Sequence, residues 1–408
     1  MPRSASRPLL SGLCATLLLA QQPAPEPAPK PSEAASILVA RLDLGTYKAS
    51  IKGLTQFGDR RQGTDRNRAA LDWIEARLRS YGCANTERLR YDYQPPPGRG
   101  GRGGGRGNRS SSVGPGGSRR RGSRQPETVN SDPLKQPDEK LRALDSEPST
   151  PGMREEVFCT KIGSTHPEEM YIVAAHMDGI GYGEAANDDG SGTALVMELS
   201  RILSDPAVQT ERSIRFALWN NEETGVNGAK AYVDQRKDLQ GRESPAGSGK
   251  YPEPKWLGMI QHDMMLFDHG MPRKDGTVSK DQRPEADINI EYAMTAKMAD
   301  TAMLLAHKFQ IANEKYATDY PANIGPHMTN TDSDPFKDLT AAISLREAER
   351  GAQIGNGWDP HHHQPTDLYA TFGDDDFRLG LNAAQTTLGA IAELAGAKVA
   401  SVSASAGN

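Results

Sequence analysis

The sequence predicts an α/β fold, a mainly parallel mixed sheet flanked by helices on both faces. Three observations predict it. Four short apolar runs, residues 171–175 (YIVAA), 214–219 (IRFALW), 256–260 (WLGMI) and 339–345 (LTAAISL), are continuous rather than alternating, as in strands buried on both faces. Segments with apolar residues at helical spacing alternate with these runs, and that rhythm builds parallel sheets. The first three runs are each followed at once by acid-bearing sequence, with His beside it after the first and third, and in open α/β sheets sites form at the carboxyl ends of the strands.

Taken in chain order, residues 1–20 read as a secretory signal. Arg3 and Arg7 supply the charge, and residues 9–20 form an apolar run too short to span a bilayer as a helix. Cleavage after Ala20 fits, with Leu18 an imperfect residue at the −3 position, and Cys14 is poorly placed for lipidation. Residues 21–35 are a Pro/Ala-rich linker. Residues 36–94 read as the N-terminal part of the main domain. Leu71, Ile74, Leu78 and Tyr81 predict a helix over 69–81 that stops at Gly82. Residues 95–153 read as a Gly/Arg-rich, low-complexity insertion with almost no apolar periodicity. Residues 154–398 read as the larger, C-terminal part of that domain, with helices expected at 193–203, 292–309 and 377–394, and residues 399–408 as a disordered tail. With the signal removed, Cys83 and Cys159 remain. They can pair in an oxidising compartment, and the sequence leaves that open.

The formal net charge of −5 is unevenly spread. Residues 98–124 hold 11 of the 41 Gly, 8 Arg and no acid, leaving −13 on the remainder of the 408 residues. That acidic, ordinarily apolar remainder excludes a wholly disordered chain, a coiled coil, a polytopic membrane protein and a dedicated nucleic-acid-binding domain. The Arg/Gly stretch has no aromatic residue for base stacking, so it reads as an insertion rather than an RNA- or anionic-polymer-binding arm.

The chemistry lies after the strands. His176-Met177-Asp178 follows the first, Asn220-Asn221-Glu222-Glu223 the second and Asp263 stands just beyond the third. Asn187-Asp188-Asp189-Gly190-Ser191-Gly192 opens a helix, and His361-His362-His363-Gln364-Pro365-Thr366-Asp367 comes late. Imidazole plus carboxylate is a donor set zinc accepts. Five ligands, His176, Asp188, Glu223, Asp263 and His363, suffice for two ions with a shared water. Glu222 is placed to take that water's proton, and Asp178 to accept the second ring N–H of His176 and fix its tautomer.

In these blocks (AHMD, NDDGSG, NEETG, HDMM and HQPTD, in this order) the chain resembles the M28 family of zinc peptidases, the co-catalytic di-zinc aminopeptidases. The resemblance covers about residues 45–93 and 155–396. It implies that Asp188 bridges two Zn2+ ions per chain, that His176 and Asp263 complete one shell and Glu223 and His363 the other, and that Glu222 is the general base. Among the three histidines it selects His363, four before Asp367, with His362 the alternative. It implies an exported exopeptidase acting on peptide N-termini, the free amine held near one metal, with a peptide as substrate, no specific nucleic-acid partner and no membrane span in the mature chain. A carboxypeptidase or dipeptidase of the same fold, a glutaminyl cyclase-like transferase and a non-enzymatic anionic-polymer binder are the rivals. The family's Tyr donor near S-D-H-x-P-F has no counterpart around residues 331–336, and His327 stands nearest to that role.

Because residues 98–124 contribute no expected ligand, and lengthening a flexible loop costs only about 0.6 kcal/mol per doubling, replacing them with a short Gly/Ser linker is expected to leave melting temperature and dipeptide turnover unchanged. A large loss of either would show that the segment packs on the domain or gates its cleft.

Overall fold

The computed structural model describes residues 30–83, 85–94, 132–267, 288–317, 319–325, 331–347, 359 and 361–400. The expected signal at 1–20, most of the expected linker, the Arg/Gly core of the expected insertion and the end of the expected tail lie outside the described residues. The chain from Pro31 onward groups as one compact unit.

The unit is built on an eight-stranded sheet ordered β1-β2-β5-β3-β6-β9-β7-β8, from β1 (Thr86–Tyr93), β2 (Gly152–Lys161), β3 (His166–His176), β5 (Arg212–Trp219), β6 (Lys255–His262), β7 (Ile288–Tyr292), β8 (Ala322–Gly325) and β9 (Ala342–Glu347). The central strands β5, β3, β6 and β9 run parallel, β1, β2 and β7 pair antiparallel at the flanks, and β8 is parallel to β7. A two-stranded ribbon joins β4 (Val208–Gln209) to β10 (Lys398–Val399). The helices are α1 (Glu33–Val39), α2 (Leu44–Thr55), α3 (Asp65–Ser80), α4 (Glu139–Asp145), α5 (Gly190–Leu203), α6 (Asn227–Arg236), α7 (Ala299–Tyr316) and α8 (Asp374–Leu394).

The continuous apolar runs have a direct cause. Along β3, Tyr171, Val173 and Ala175 enter one core and Met170, Ile172 and Ala174 the other. The larger core holds α5, whose residues are nearly all buried, packed among α2, α3 and α8. The smaller core, under α6, is aromatic, with Trp219, Tyr232, Trp256 and Phe336 in mutual ring contact. Five helices start on side-chain N-caps, Ser32, Asp43, Thr64, Asp138 and Asp189, each accepting a first-turn N–H.

Several sequence expectations need adjustment. The helix expected from residue 292 starts at Ala299, because Tyr292 ends β7. Residues 339–341 precede β9 rather than open it. The last third of the expected insertion is folded: α4 and its flanks bury Gln136 and Asp145, and Thr150 donates to the Gly63 carbonyl at 3.0 Å. This short helix is held by an Asp138 cap and polar contacts, which leave no apolar period to read. The linker likewise ends early, at the Ser32 cap of α1.

Cys83 and Cys159 form a disulfide, Cα–Cα 6.0 Å, tying the end of α3 to β2 across a sequence separation of 76. A bridge closing a loop of this length constrains the unfolded chain by about 2–4 kcal/mol. The Cys83→Ala/Cys159→Ala double variant should therefore unfold at lower urea, with a loss of that order and no further change on adding reductant.

Candidate metal centre

The carboxyl ends of β3, β5 and β6 meet at one edge of the sheet. The chain leaves β3 for β5 on one side and then crosses to β6 on the other, so β3 is a topological switch point. His176 is the last residue of β3, Glu222 and Glu223 lie just beyond β5, and Asp263 just beyond β6. Asp188 comes from the turn opening α5, and His363 from the turn before α8.

Asp188 is the meeting point. Its Oδ1 lies 3.3 Å from His176 Nε2 and its Oδ2 3.2 Å from His363 Nε2. His176 Nε2 is 3.8 Å from Asp263 Oδ1, and His363 Nε2 is 3.0 Å from Glu223 Oε2. Thus all five expected ligands come together in two groups that share Asp188. His362 also reaches Asp188 Oδ2, at 3.4 Å, and its ring stacks on His363 with centroids 3.8 Å apart. His363 joins Asp188 to Glu223. His361 turns away, its Nδ1 2.8 Å from Thr366 Oγ1. His327 lies outside the described residues.

Asp178 is placed differently from the sequence expectation. The His176 Nδ1 partner is the Asp178 main-chain carbonyl, at 3.0 Å, while the carboxylate Oδ1 stands 3.9 Å away. That carboxylate instead accepts the Glu222 N–H at 3.1 Å, fixing the backbone of the segment after β5. Here the main-chain oxygen is nearer the ring, and the side chain is left for the segment after β5.

Three further residues support the centre. Asp189 accepts N–H bonds from Gly192, His176 and Met264 at 2.9, 3.1 and 3.3 Å. Asp367 accepts the Asn187 and Asp188 N–H groups at 2.8 and 3.0 Å. Arg346, at the end of β9, donates to Asp263 Oδ2 at 2.6 Å in a buried pair. The position four after His363 marks Asp367, whereas nothing links Arg346 to Asp263 before folding. Asn221, Met264 and His363 all have left-handed φ, near 65°, 62° and 56°. Such conformations gather at functional sites, and Asn tolerates them best, which accounts for Asn221 before Glu222.

The electrostatics follow from burial. It pushes the Glu222 carboxyl well above the ordinary carboxylate range, with His176 opposing, and lifts Glu223 to about 7 against the pull of His363. At Asp263 burial is outweighed by Arg346 and His176, which bring it down to about 2. The donor set fits zinc. Two atoms bound to one tetrahedral zinc at about 2.0–2.1 Å lie roughly 3.3 Å apart, and the Asp188 contacts to His176 and His363 match that spacing. Donor atoms of His176, Asp188 and Asp263 all lie within 4.8 Å of one another, as do those of Asp188, His362 and His363. Glu223 Oε1 is buried without a hydrogen-bond partner.

Residues 157–378 match the sequence profile of Peptidase family M28. Over 76 residues, 19% of this chain and 16% of the relative, it is 36% identical to carboxypeptidase Q of Xenopus laevis. Over 79 residues, 19% of this chain and 17% of the relative, it is 37% identical to aminopeptidase YwaD of Bacillus subtilis. These alignments therefore span about a sixth of each relative's length. The aminopeptidase from Aneurinibacillus sp. strain AM-1 superposes with a TM-score of 0.55 at 17% identity, over 88% of this chain and 96% of that one, which shows a shared fold.

Removing one partner of a buried ion pair costs about 3–5 kcal/mol, because the other charge is left uncompensated. Arg346→Met should thus lower unfolding stability of the metal-free protein by an amount of that order in a urea titration. A change within about 0.5 kcal/mol, the range of ordinary surface substitutions, would show that Asp263 does not depend on it.

Proposed function

Because the chain belongs to Peptidase family M28, we propose that it is a zinc-dependent exopeptidase that removes residues from the N-termini of peptides. The observation that carries this reading is the convergence of His176, His363, Asp263 and Glu223 around Asp188, with Glu222 beside them. Asp188 would be shared by two zinc ions per chain, one held also by His176 and Asp263 and the other by Glu223 and His363. Bound zinc supplies Lewis acidity toward the scissile carbonyl and lowers the pKa of a water.

The chain's own groups do the rest. Asp178 holds the Glu222 backbone through its N–H, and the Glu222 carboxyl lies close enough to His176 to interact with its charge. Glu222 takes the proton of the attacking water and returns it to the leaving amine, a role worth about 10²–10⁴-fold in rate. The His176 ring is oriented by its Nδ1 contact with the Asp178 carbonyl, leaving Nε2 directed at Asp188 and Asp263.

The local match to carboxypeptidase Q favours a second reading, an exopeptidase acting from the C-terminus. Dipeptides blocked at one end or the other separate the two. Export belongs to the proposal: the apolar N-terminal run and the Cys83–Cys159 disulfide suit an oxidising compartment. Among the described residues no helix is long and apolar enough to cross a membrane.

Glu222→Gln is expected to lower kcat by about 10²–10⁴-fold while elemental analysis still returns two zinc ions per chain, whereas Glu223→Gln loses metal. Wild-type turnover in Glu222→Gln would remove it as the base, and one ion per active wild-type chain would favour a cyclase-like centre.

A further inference from the structure

The loop between α2 and α3 is unusual for a connection, because residues 58–64 are all buried. Loops normally run over the surface, where water satisfies their main-chain groups. This one carries Arg60, wholly buried and in a left-handed conformation, φ near 58°. Left-handed φ is unfavourable for a side-chain-bearing residue, so the position would suit glycine better unless the side chain is needed.

The Arg60 guanidinium is committed to main-chain carbonyls. Nε donates to Met177 O at 2.8 Å, Nη1 to Glu184 O at 2.9 Å and to Gly58 O at 3.1 Å, and Nη2 to Ala185 O at 2.8 Å. Three of these four acceptors belong to the segment that connects His176 to Asp188. That segment contains Gly179, Gly181 and Gly183, so it has few side chains of its own to anchor it. It is also pressed against the buried loop: a Cβ on Gly179 would stand 2.6 Å from the Asp59 carbonyl oxygen. The carboxylates of Asp178, Asp189 and Asp367 lie close enough to interact with the Arg60 charge.

We propose that Arg60 is a positioning residue for the metal centre, a planar clamp that holds the 177–185 segment and thereby sets the spacing of His176 from Asp188. The inference rests on the metal-centre reading of these residues given above. These Arg60 hydrogen bonds all go to main-chain oxygens, so it acts through the backbone. Lysine keeps the charge but has one nitrogen, which cannot span three carbonyls of a turn as the guanidinium fork does.

The test uses the full chain, wild type beside Arg60→Lys and Arg60→Gly. Zinc affinity is read by competition with a chelator, and amide hydrogen exchange over residues 177–190 is read without metal. Both variants should bind zinc about 10–100-fold more weakly, the loss typical of groups that orient ligands. Exchange over 177–190 should rise while the β6 amides stay protected, and kcat should fall more than KM rises. Arg60→Gly relieves the backbone conformation, so a loss there comes from the side chain. Near-wild-type zinc affinity in Arg60→Lys would overturn the role of Arg60 alone. A wild-type chain that binds no zinc would overturn the metal reading instead. Should neither variant fold, the metal-free wild type still decides: protected amides over 177–190 support the clamp, and unprotected ones overturn it.

Discussion

The Asp189 carboxylate, buried at the start of α5, accepts N–H bonds from the helix it caps, from His176 at the end of β3 and from Met264 just past β6. One side chain therefore fixes the relative position of a helix terminus and two strand ends. His176 and Asp263 sit on those strand ends, and Asp188 is the neighbouring residue, so this set of bonds ties their positions together, alongside the hold of Arg60 on the segment between His176 and Asp188. The arrangement also explains the glycines that follow. A Cβ at Gly192 would stand 2.5 Å from Asp189 Oδ1 and 2.8 Å from the His262 carbonyl oxygen, and one at Gly190 would stand 2.7 Å from the Ala185 carbonyl oxygen. The glycines of NDDGSG are thus a steric requirement of the cap, beside the expected ligand Asp188.

Charge is the second constraint. Asp178, Asp188, Asp189, Asp263, Glu222, Glu223 and Asp367 are all buried near one strand edge. Burying carboxylates without compensation is expensive. The fold meets part of that cost with permanent cations placed behind the centre, Arg346 on Asp263 and Arg60 on the carbonyls of the connecting segment. The other part is met by N–H donors, as at Asp367, which receives the Asn187 and Asp188 amides. At Asp188 and Glu223 neither device is used for the side-chain oxygens facing the histidines. These are the positions where a divalent cation would be most favourable, in keeping with the proposed zinc centre.

What the sequence disclosed, and what it hid, divides along physical lines. β3, β5, β6 and β9 were legible because strands covered on both faces leave uninterrupted apolar runs, and α5 and α8 because they present wide apolar faces. The flanking strand β1 (TERLRYDY) is half exposed and charged, and its ladder to β2 depends on residues beyond a long insertion, so no local pattern announces it. α4 depends on a cap rather than on apolar spacing. The ligands were readable because a metal demands particular donors just after strand ends. Arg60 and Arg346 were not, since an arginine that serves carbonyls or a distant carboxylate looks like any surface arginine until the chain is folded. Asp178 shows a finer limit: spacing identified a group near the His176 ring but did not distinguish its carbonyl from its carboxylate.

The residues before the first motif have a larger part in the centre than their lack of ligands suggests. The family profile begins at residue 157, yet the support for the centre begins over a hundred residues earlier. Tyr47 on α2 donates to the Ser191 carbonyl oxygen in the first turn of α5. Asn67 on α3 exchanges side-chain hydrogen bonds with Asn220, two residues before Glu222. Arg60 lies between these two helices. The N-terminal helices thus touch the segment carrying Asp188, the segment carrying Glu222 and the segment between His176 and Asp188. The Cys83–Cys159 bond then ties the end of α3 to β2, a neighbour of β5 in the sheet. A chain cut at the start of the matched region would keep every expected ligand and lose the layer that touches three of their segments, and the elements from α1 to β10, β1 and α4 among them, accordingly group as one compact unit.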